Sequence, residues 1–232
     1  MIISHRHKFI FLKTNKTAGT SIEIALSRFC GPDDVITPIS AEDEETRRQL
    51  GYPGPQNYLA SISGDGVPDP LGSTGERQPK DKLRFYNHIS AKEVKARIDE
   101  QEWNSYYKFC FERNPWDRLI SLYFWRTRPE SRPTISEFIR SGVPLTLKER
   151  GYGLYTIDGE IVVDRVCRFE NLSEELEAVR TRVGIPESLE LPTAKSRHRS
   201  DRRSYRDLLG EDDKAWIAEL FCDEIRMFKY EW

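Results

Sequence analysis

Between Tyr106 and Phe124 an apolar run meets a proline and turns at once into an amphipathic helix, and few folds accept that order of events. Tyr106 to Glu112 (YYKFCFE) has the length and aromatic content of a strand. Pro115 suits the first turn of a helix, and Trp116, Leu119, Ile120, Tyr123 and Phe124 then recur at i, i+3, i+4, i+7 and i+8. A strand that feeds a packed helix through a short turn is half of a βαβ unit, the building block of parallel sheets.

The same event occurs earlier in the chain. Lys8 to Lys13 (KFIFLK) predicts a buried strand, and Thr20 to Phe29 sets Ile22, Ala25, Leu26 and Phe29 at helical spacing. Leu83 to Asn87 and Val163 to Phe169 predict further strands. Ser40 to Leu50, Ser90 to Ile98, Ser173 to Val183 and about Asp212 to Phe228 predict helices. At 232 residues the chain fits one domain, 1–232, that can build its core without staples. The expected fold is therefore α/β: a single domain with a P-loop-like, mostly parallel sheet, helices on both faces, and a ligand beyond the carboxyl ends of the strands. Gly51 to Lys82 is too rich in Gly and Pro for regular structure and predicts a mobile loop.

Charge and missing motifs narrow the function. Thirty-six Lys and Arg against 38 Asp and Glu give a net charge of -2, so no global field draws nucleic acid or an acidic membrane. Any anion site must be local. The apolar run Phe9 to Leu12 stops at Lys13, too short for a signal core or a membrane span, and predicts a soluble, cytoplasmic protein. Four scattered cysteines without CxxC spacing predict free thiols, and no His/Cys cluster predicts a metal. No Gly is followed by Lys, and GxGxxG, HExxH and GxSxG do not occur.

Two segments carry chemistry. Lys13 to Ser21 (KTNKTAGTS) lies where a strand hands over to a helix. Ala18 and Gly19 allow close backbone approach, the helix start offers N–H groups, and Lys16, Thr17, Thr20 and Ser21 add a cation and hydroxyls. The alternative is ordinary capping with a solvated lysine. Glu112 to Tyr123 (ERNPWDRLISLY) offers Arg113, a fork suited to phosphate, with Ser121 two helical turns on. Here the alternative is an Arg113–Asp117 ion pair beside a solvating serine. His88 stands at an expected strand exit, and a pKa near 6.5 suits proton abstraction near neutrality. For a lone histidine, helix capping or core packing competes with that role.

Taken together, KTNKTAGTS and, about ninety residues further on, RNPWDRLISLY resemble the carbohydrate-type, family 2-like sulfotransferases, whose donor is 3'-phosphoadenosine-5'-phosphosulfate (PAPS). RFENL at Arg168 to Leu172 and the C-terminal YRDLLGEDDKAWIAELF are similar to the same family. The resemblance implies that Lys16, Thr17, Ala18, Gly19, Thr20 and Ser21 hold the 5'-phosphosulfate and that Arg113 and Ser121 bind the 3'-phosphate. It implies a catalytic His88, a Lys16 that neutralises charge on the departing phosphate, and no metal. A basic loop before the last helices closes over the nucleotide in such proteins, which makes Lys195 and Arg197 candidate contacts. A solvated positive face or an acidic-glycan site remain alternatives for that stretch. The resemblance implies a small-molecule or glycan hydroxyl as acceptor, and the 51–82 loop is expected to border its site. Other readings are a kinase using ATP through the same loop and a catalytically inactive nucleotide-binding protein. Two departures stand out: Asn15 where many relatives have Pro, and Glu112 where an apolar residue is common. Beside Arg113, the Glu112 carboxyl is expected to be held low and to be a poor base.

Overall fold

The computed structural model describes residues 1–59, 83–192, 201 and 203–232. Its sheet begins with β1 (Ile2–Ser4) and β2 (Phe9–Phe11), followed by α1 (Gly19–Ser27), β3 (Val35–Ile36) and α2 (Ala41–Gln49). Next come α3 (Ala91–Lys95), α4 (Glu100–Ser105), β4 (Tyr107–Glu112) and α5 (Pro115–Arg126). Three short helices, α6 (Ile135–Arg140), α7 (Leu145–Glu149) and α8 (Tyr152–Tyr155), lead to a small hairpin, β5 (Thr156–Ile157) and β6 (Glu160–Ile161). β7 (Arg165–Arg168), α9 (Leu172–Arg182), α10 (Tyr205–Leu208), α11 (Glu211–Leu220) and α12 (Cys222–Phe228) complete the described chain.

The five-stranded order is β3-β1-β2-β4-β7. β2, β4 and β7 are parallel neighbours, and β1 is antiparallel to both β2 and β3. Four of the five strands thus point the same way, and only β1 is reversed. Alternation along each strand explains why both faces are covered. Phe9, Phe11, Phe109 and Phe111 face α1 and α9, packing with Ile22, Leu26, Leu176 and Val179. Ile3, Ile10, Leu12 and Cys110 face the other way, toward Ile89, Val94, Trp103 and Tyr155. A third cluster, around Leu119, Ile120, Phe138 and Phe221, joins α5 to α6 and α11.

The sequence expectations and the structure differ at three places. Leu83 to Asn87 is not a strand: Leu83 makes an isolated bridge to Leu59, Phe85 N–H donates to Tyr58 O, and the chain then turns at His88 with φ 61°. The expected C-terminal helix is two helices, broken at the buried Phe221 (φ -109°, ψ 30°). The Gly51 to Lys82 loop is fastened at its start, where Gln56 bridges Ile36 and Tyr58 is buried; residues 60–82 lie outside the described residues. Among the described residues no helix is long and apolar enough to cross a membrane.

One buried acid is left without support. Glu224 on α12 is sealed from solvent, and neither carboxylate oxygen reaches a hydrogen-bond partner in another described residue. Burial, reinforced by the negative charge of Glu112, raises its pKa to about 7. Between the unfolded value near 4.5 and 7 the folded state holds the extra proton, so stability falls as pH rises through that window. Glu224→Gln removes this titration. In denaturant unfolding at pH 5 and pH 8, the wild-type loss across the interval should exceed the variant's by on the order of 3 kcal/mol. Equal losses in the two proteins overturn the assignment.

Candidate active site

Because β2, β4 and β7 are parallel neighbours, their carboxyl ends deliver three segments to one edge: the loop after Phe11, Arg113–Asn114, and the turn at Phe169–Asn171. The first segment is built under strain. Lys16 (φ 65°) and Ala18 (φ 59°, ψ 15°) both take the left-handed conformation, which costs roughly 1–2 kcal/mol per non-glycine residue. Successive main-chain N–H groups in such a turn form an anion-accepting concavity, and α1 opens behind it with no side-chain cap. Internal bonds hold the loop: Thr14 Oγ1 donates to Phe111 O, and Thr14 and Thr17 hydroxyls are 2.8 Å apart. Thr17, Thr20 and Ser21 are buried, so Thr17 serves the loop's own shape. A Cβ on Gly19 would lie 2.7 Å from Lys13 Cγ, which gives this glycine a packing reason beside ligand approach.

Arg113 ties the second segment to the first. Its Nη1 donates to Lys16 O at 3.1 Å, its Nε and Nη2 donate to Asp117 Oδ2 at 2.9 and 2.5 Å, and its guanidinium lies 4.1 Å from the centre of the Phe169 ring. The Arg113–Asp117 pair weighed from sequence is therefore present, and it orients a guanidinium that also reaches the loop. Asn114 caps α5, its Oδ1 accepting from Trp116 and Asp117 N–H groups. Its own N–H donates to Glu170 Oε1 at 2.7 Å, which brings RFENL into the site. Ser121 sits half-buried one turn beyond Asp117. Lys16 Nζ stands 5.0 Å over the ring of Trp125, a further turn along α5.

Glu112 requires a correction. Its carboxylate is fully buried, and its ionic partner is Arg118 (Nη1 to Oε1, 2.5 Å), with Tyr155 O–H donating at 3.2 Å. Burial raises its pKa despite Arg118, the reverse of the lowering expected from Arg113; the Arg113 contact is through its main-chain N–H. Arg118 was not legible as a site residue. It is sealed from solvent, and besides Glu112 it donates to Asn15 O at 2.9 Å, Leu147 O at 3.1 Å and Arg150 O at 3.2 Å.

His88 reaches the same edge from outside the sheet. Its Nδ1 is 2.7 Å from Lys13 O, and a carbonyl only accepts, so Nδ1 carries the proton and Nε2 keeps its lone pair. Burial, with the positive charge of Lys13 added, lowers its pKa to about 3, well under the value near 6.5 expected from sequence. Lys195 and Arg197 lie outside the described residues. Among the described residues no three His, Cys, Asp or Glu side chains come together as a metal-ligand set.

A mostly parallel sheet with helices on both faces, and a strained strand-to-helix loop at its carboxyl edge, defines a mixed α/β protein. Residues 1–148 match the sequence profile of a family described as the sulfotransferase family, and the chain belongs to it. The match spans β1 to α7 and so includes the loop, His88, Arg113 and Ser121. An uncharacterized protein of Archaeoglobus fulgidus is 30% identical over 101 residues, covering 42% of this chain and 84% of that protein. No solved structure matches the chain significantly.

The packing around Arg118 is tight enough to test. A Cβ on Gly151 would lie 2.4 and 2.5 Å from the two terminal nitrogens of Arg118 and 2.7 Å from Leu147 O. Gly151→Ala therefore costs the guanidinium part of its bonding as well as adding strain, together about 2–4 kcal/mol. Thermal unfolding should show a Tm lower by roughly 4–16 °C. An unchanged Tm means that Arg118 can move aside and does not hold the edge together.

Proposed function

We propose that the protein transfers a sulfuryl group from PAPS to a hydroxyl acceptor and releases 3',5'-ADP. The observation that carries this reading is the bond from Arg113 to Lys16 O, since it joins the two segments that separately offer anion-binding groups at one edge of the sheet. Family membership supports sulfuryl transfer, and the uncapped, left-handed loop at α1 supports an anionic donor. On this reading the Lys16–Ser21 loop holds the 5'-phosphosulfate, and Arg113 with Ser121 meets the 3'-phosphate while Asp117 fixes the guanidinium plane. Lys195 and Arg197 remain proposed contacts to the nucleotide. The protein's place is proposed to be the cytoplasm.

In the reaction the acceptor oxygen attacks sulfur in line, and the bond from sulfur to the bridging oxygen breaks. The electron pair leaves on the phosphate of 3',5'-ADP. His88 Nε2, whose Nδ1–H is committed to Lys13 O, takes the acceptor proton as the bond to sulfur forms, because sulfurylation makes that oxygen acidic enough for a base whose pKa is held at about 3. Lys16 stabilises the charge on the leaving oxygen, and to do so its ammonium leaves the face of Trp125. Glu112 is not the base in this scheme, since Arg118 and Tyr155 hold it away from solvent.

Three measurements test the reading. Calorimetric titration should give much tighter binding of 3',5'-ADP than of ADP or ATP, and Arg113→Ala should weaken the former by about 2–4 kcal/mol. Equal affinity for ADP and 3',5'-ADP sinks the PAPS assignment. With labelled PAPS and a panel of hydroxyl acceptors, His88→Ala should lower kcat by about 10²–10⁴ while 3',5'-ADP still binds. Lys16→Ala should lower kcat by about 10²–10³ with a smaller change in donor affinity. Failure of all acceptors alongside tight 3',5'-ADP binding supports a nucleotide-binding protein without turnover instead.

A further inference from the structure

Lys13 and Glu23 are both removed from water, at 3% and 0% exposure, and form an ion pair of 2.8 Å beneath the donor loop. A buried pair of this kind is weak as a source of stability, because desolvating two charges offsets most of their attraction. Its surroundings are nevertheless arranged to keep it. Gly19 leaves room for the Lys13 stem, which passes where a Cβ would stand. Glu23 Oε1 accepts from Thr37 Oγ1 at 3.1 Å and lies 3.7 Å from Arg47 Nη2, so the carboxylate is anchored from the far end of α2. The main chain of the same lysine supplies the carbonyl that His88 Nδ1 bonds at 2.7 Å. His88 is itself turned into the left-handed region to make that bond.

We propose that Lys13 and Glu23 are a positioning pair for His88: clamping the Lys13 side chain fixes its carbonyl, which selects the Nδ1–H tautomer and presents Nε2 as the basic nitrogen. The inference rests on the reading of His88 as the base, and it concerns neither donor nor acceptor contacts. The hydrogen bond to the Lys13 carbonyl favours imidazolium, and burial together with the surrounding positive charge outweighs it, so Nε2 keeps its lone pair. The positive groups that disfavour imidazolium are the Lys13 ammonium, the Arg150 guanidinium and, where protonated, the Met1 amino group, whose own pKa is lowered to about 5. Glu23 partly neutralises the first of them.

The pair can be replaced by neutral groups of similar shape in Lys13→Met/Glu23→Gln, which also removes the carboxylate facing the Met1 amino group (2.9 Å) and Arg47, the latter keeping Glu44 as a partner. Histidine-labelled protein, followed by long-range proton–nitrogen NMR across pH, reports tautomer and pKa without turnover. The wild type should show His88 protonated at Nδ1 and titrating below the other histidines. In the double variant the His88 pKa should rise by at least one unit and the ring should sample both tautomers. With PAPS as donor, kcat should fall about tenfold as the base loses its fixed orientation, while affinity for 3',5'-ADP changes less than twofold. Glu23→Gln alone keeps the Lys13 cation and should leave the His88 pKa as low as wild type or lower; a rise there overturns the electrostatic part. A folded double variant with unchanged tautomer, pKa and kcat shows that the pair is structural only and overturns the proposal. If the double variant does not fold, Glu23→Gln and Lys13→Arg decide the matter: wild-type tautomer and pKa in Lys13→Arg support the clamp, and a shifted tautomer in it overturns the clamp. Full kcat in His88→Ala instead removes the base reading, and the NMR result then still decides whether the pair governs the ring.

Discussion

The Arg118 guanidinium holds the edge of the sheet in register. Four residues from three pieces of chain meet on it: Asn15 from the loop after β2, Glu112 at the end of β4, and Leu147 and Arg150 at the end of α7. Asn15 N–H in turn donates to Arg150 O at 2.9 Å, closing the ring of contacts. A buried cation is tolerable only when its donors are met and its charge is balanced, and Arg118 has both. The strained conformations of Lys16 and Ala18 persist because the chain on either side of them is pinned, on one side by Arg118 and Thr14, on the other by α1.

That dependence explains what could be read from the sequence. The two strand-to-helix junctions were legible because their signals are local: apolar runs of strand length, Pro115 at a helix start, and apolar residues at helical spacing. Lys16, Ala18 and Gly19 in one junction and Arg113 in the other follow from the same local patterns. Arg118 was not legible, since an arginine on an amphipathic helix reads as solvated until the α7–α8 connection folds over it. The partner of Glu112 is hidden in the sequence for a related reason. Its neighbour in sequence is Arg113, but alternation along β4 and the turn at Asn114 give its carboxylate to Arg118, six residues on.

The strand at Leu83 to Asn87 shows a different limit. Five residues with two aromatics satisfy the pattern of a strand, yet Phe85 and Ile89 are buried by packing on the sheet face instead of by pairing within it. Periodicity reports that a segment is buried and says little about which backbone partner it finds. β1 and β3 escaped notice for lack of length, with three and two residues. The reversed β1 is nevertheless what flanks β2 on the side away from β4 and makes β2 an interior strand.

Charge placement separates the ionisable groups of this edge by role. His88 is half-buried beside cations and stays neutral across the physiological range, with its pKa lowered to about 3. Glu224, near the Glu112–Arg118 pair, is the group brought closest to neutrality, at about 7. The two acids compete for one cation: ionising Glu224 places a second negative charge beside Glu112 in a region where Arg118 already answers the first. The acid brought to about 7 thus lies on α12, within electrostatic reach of Glu112 and Arg118, while His88 lies several units below.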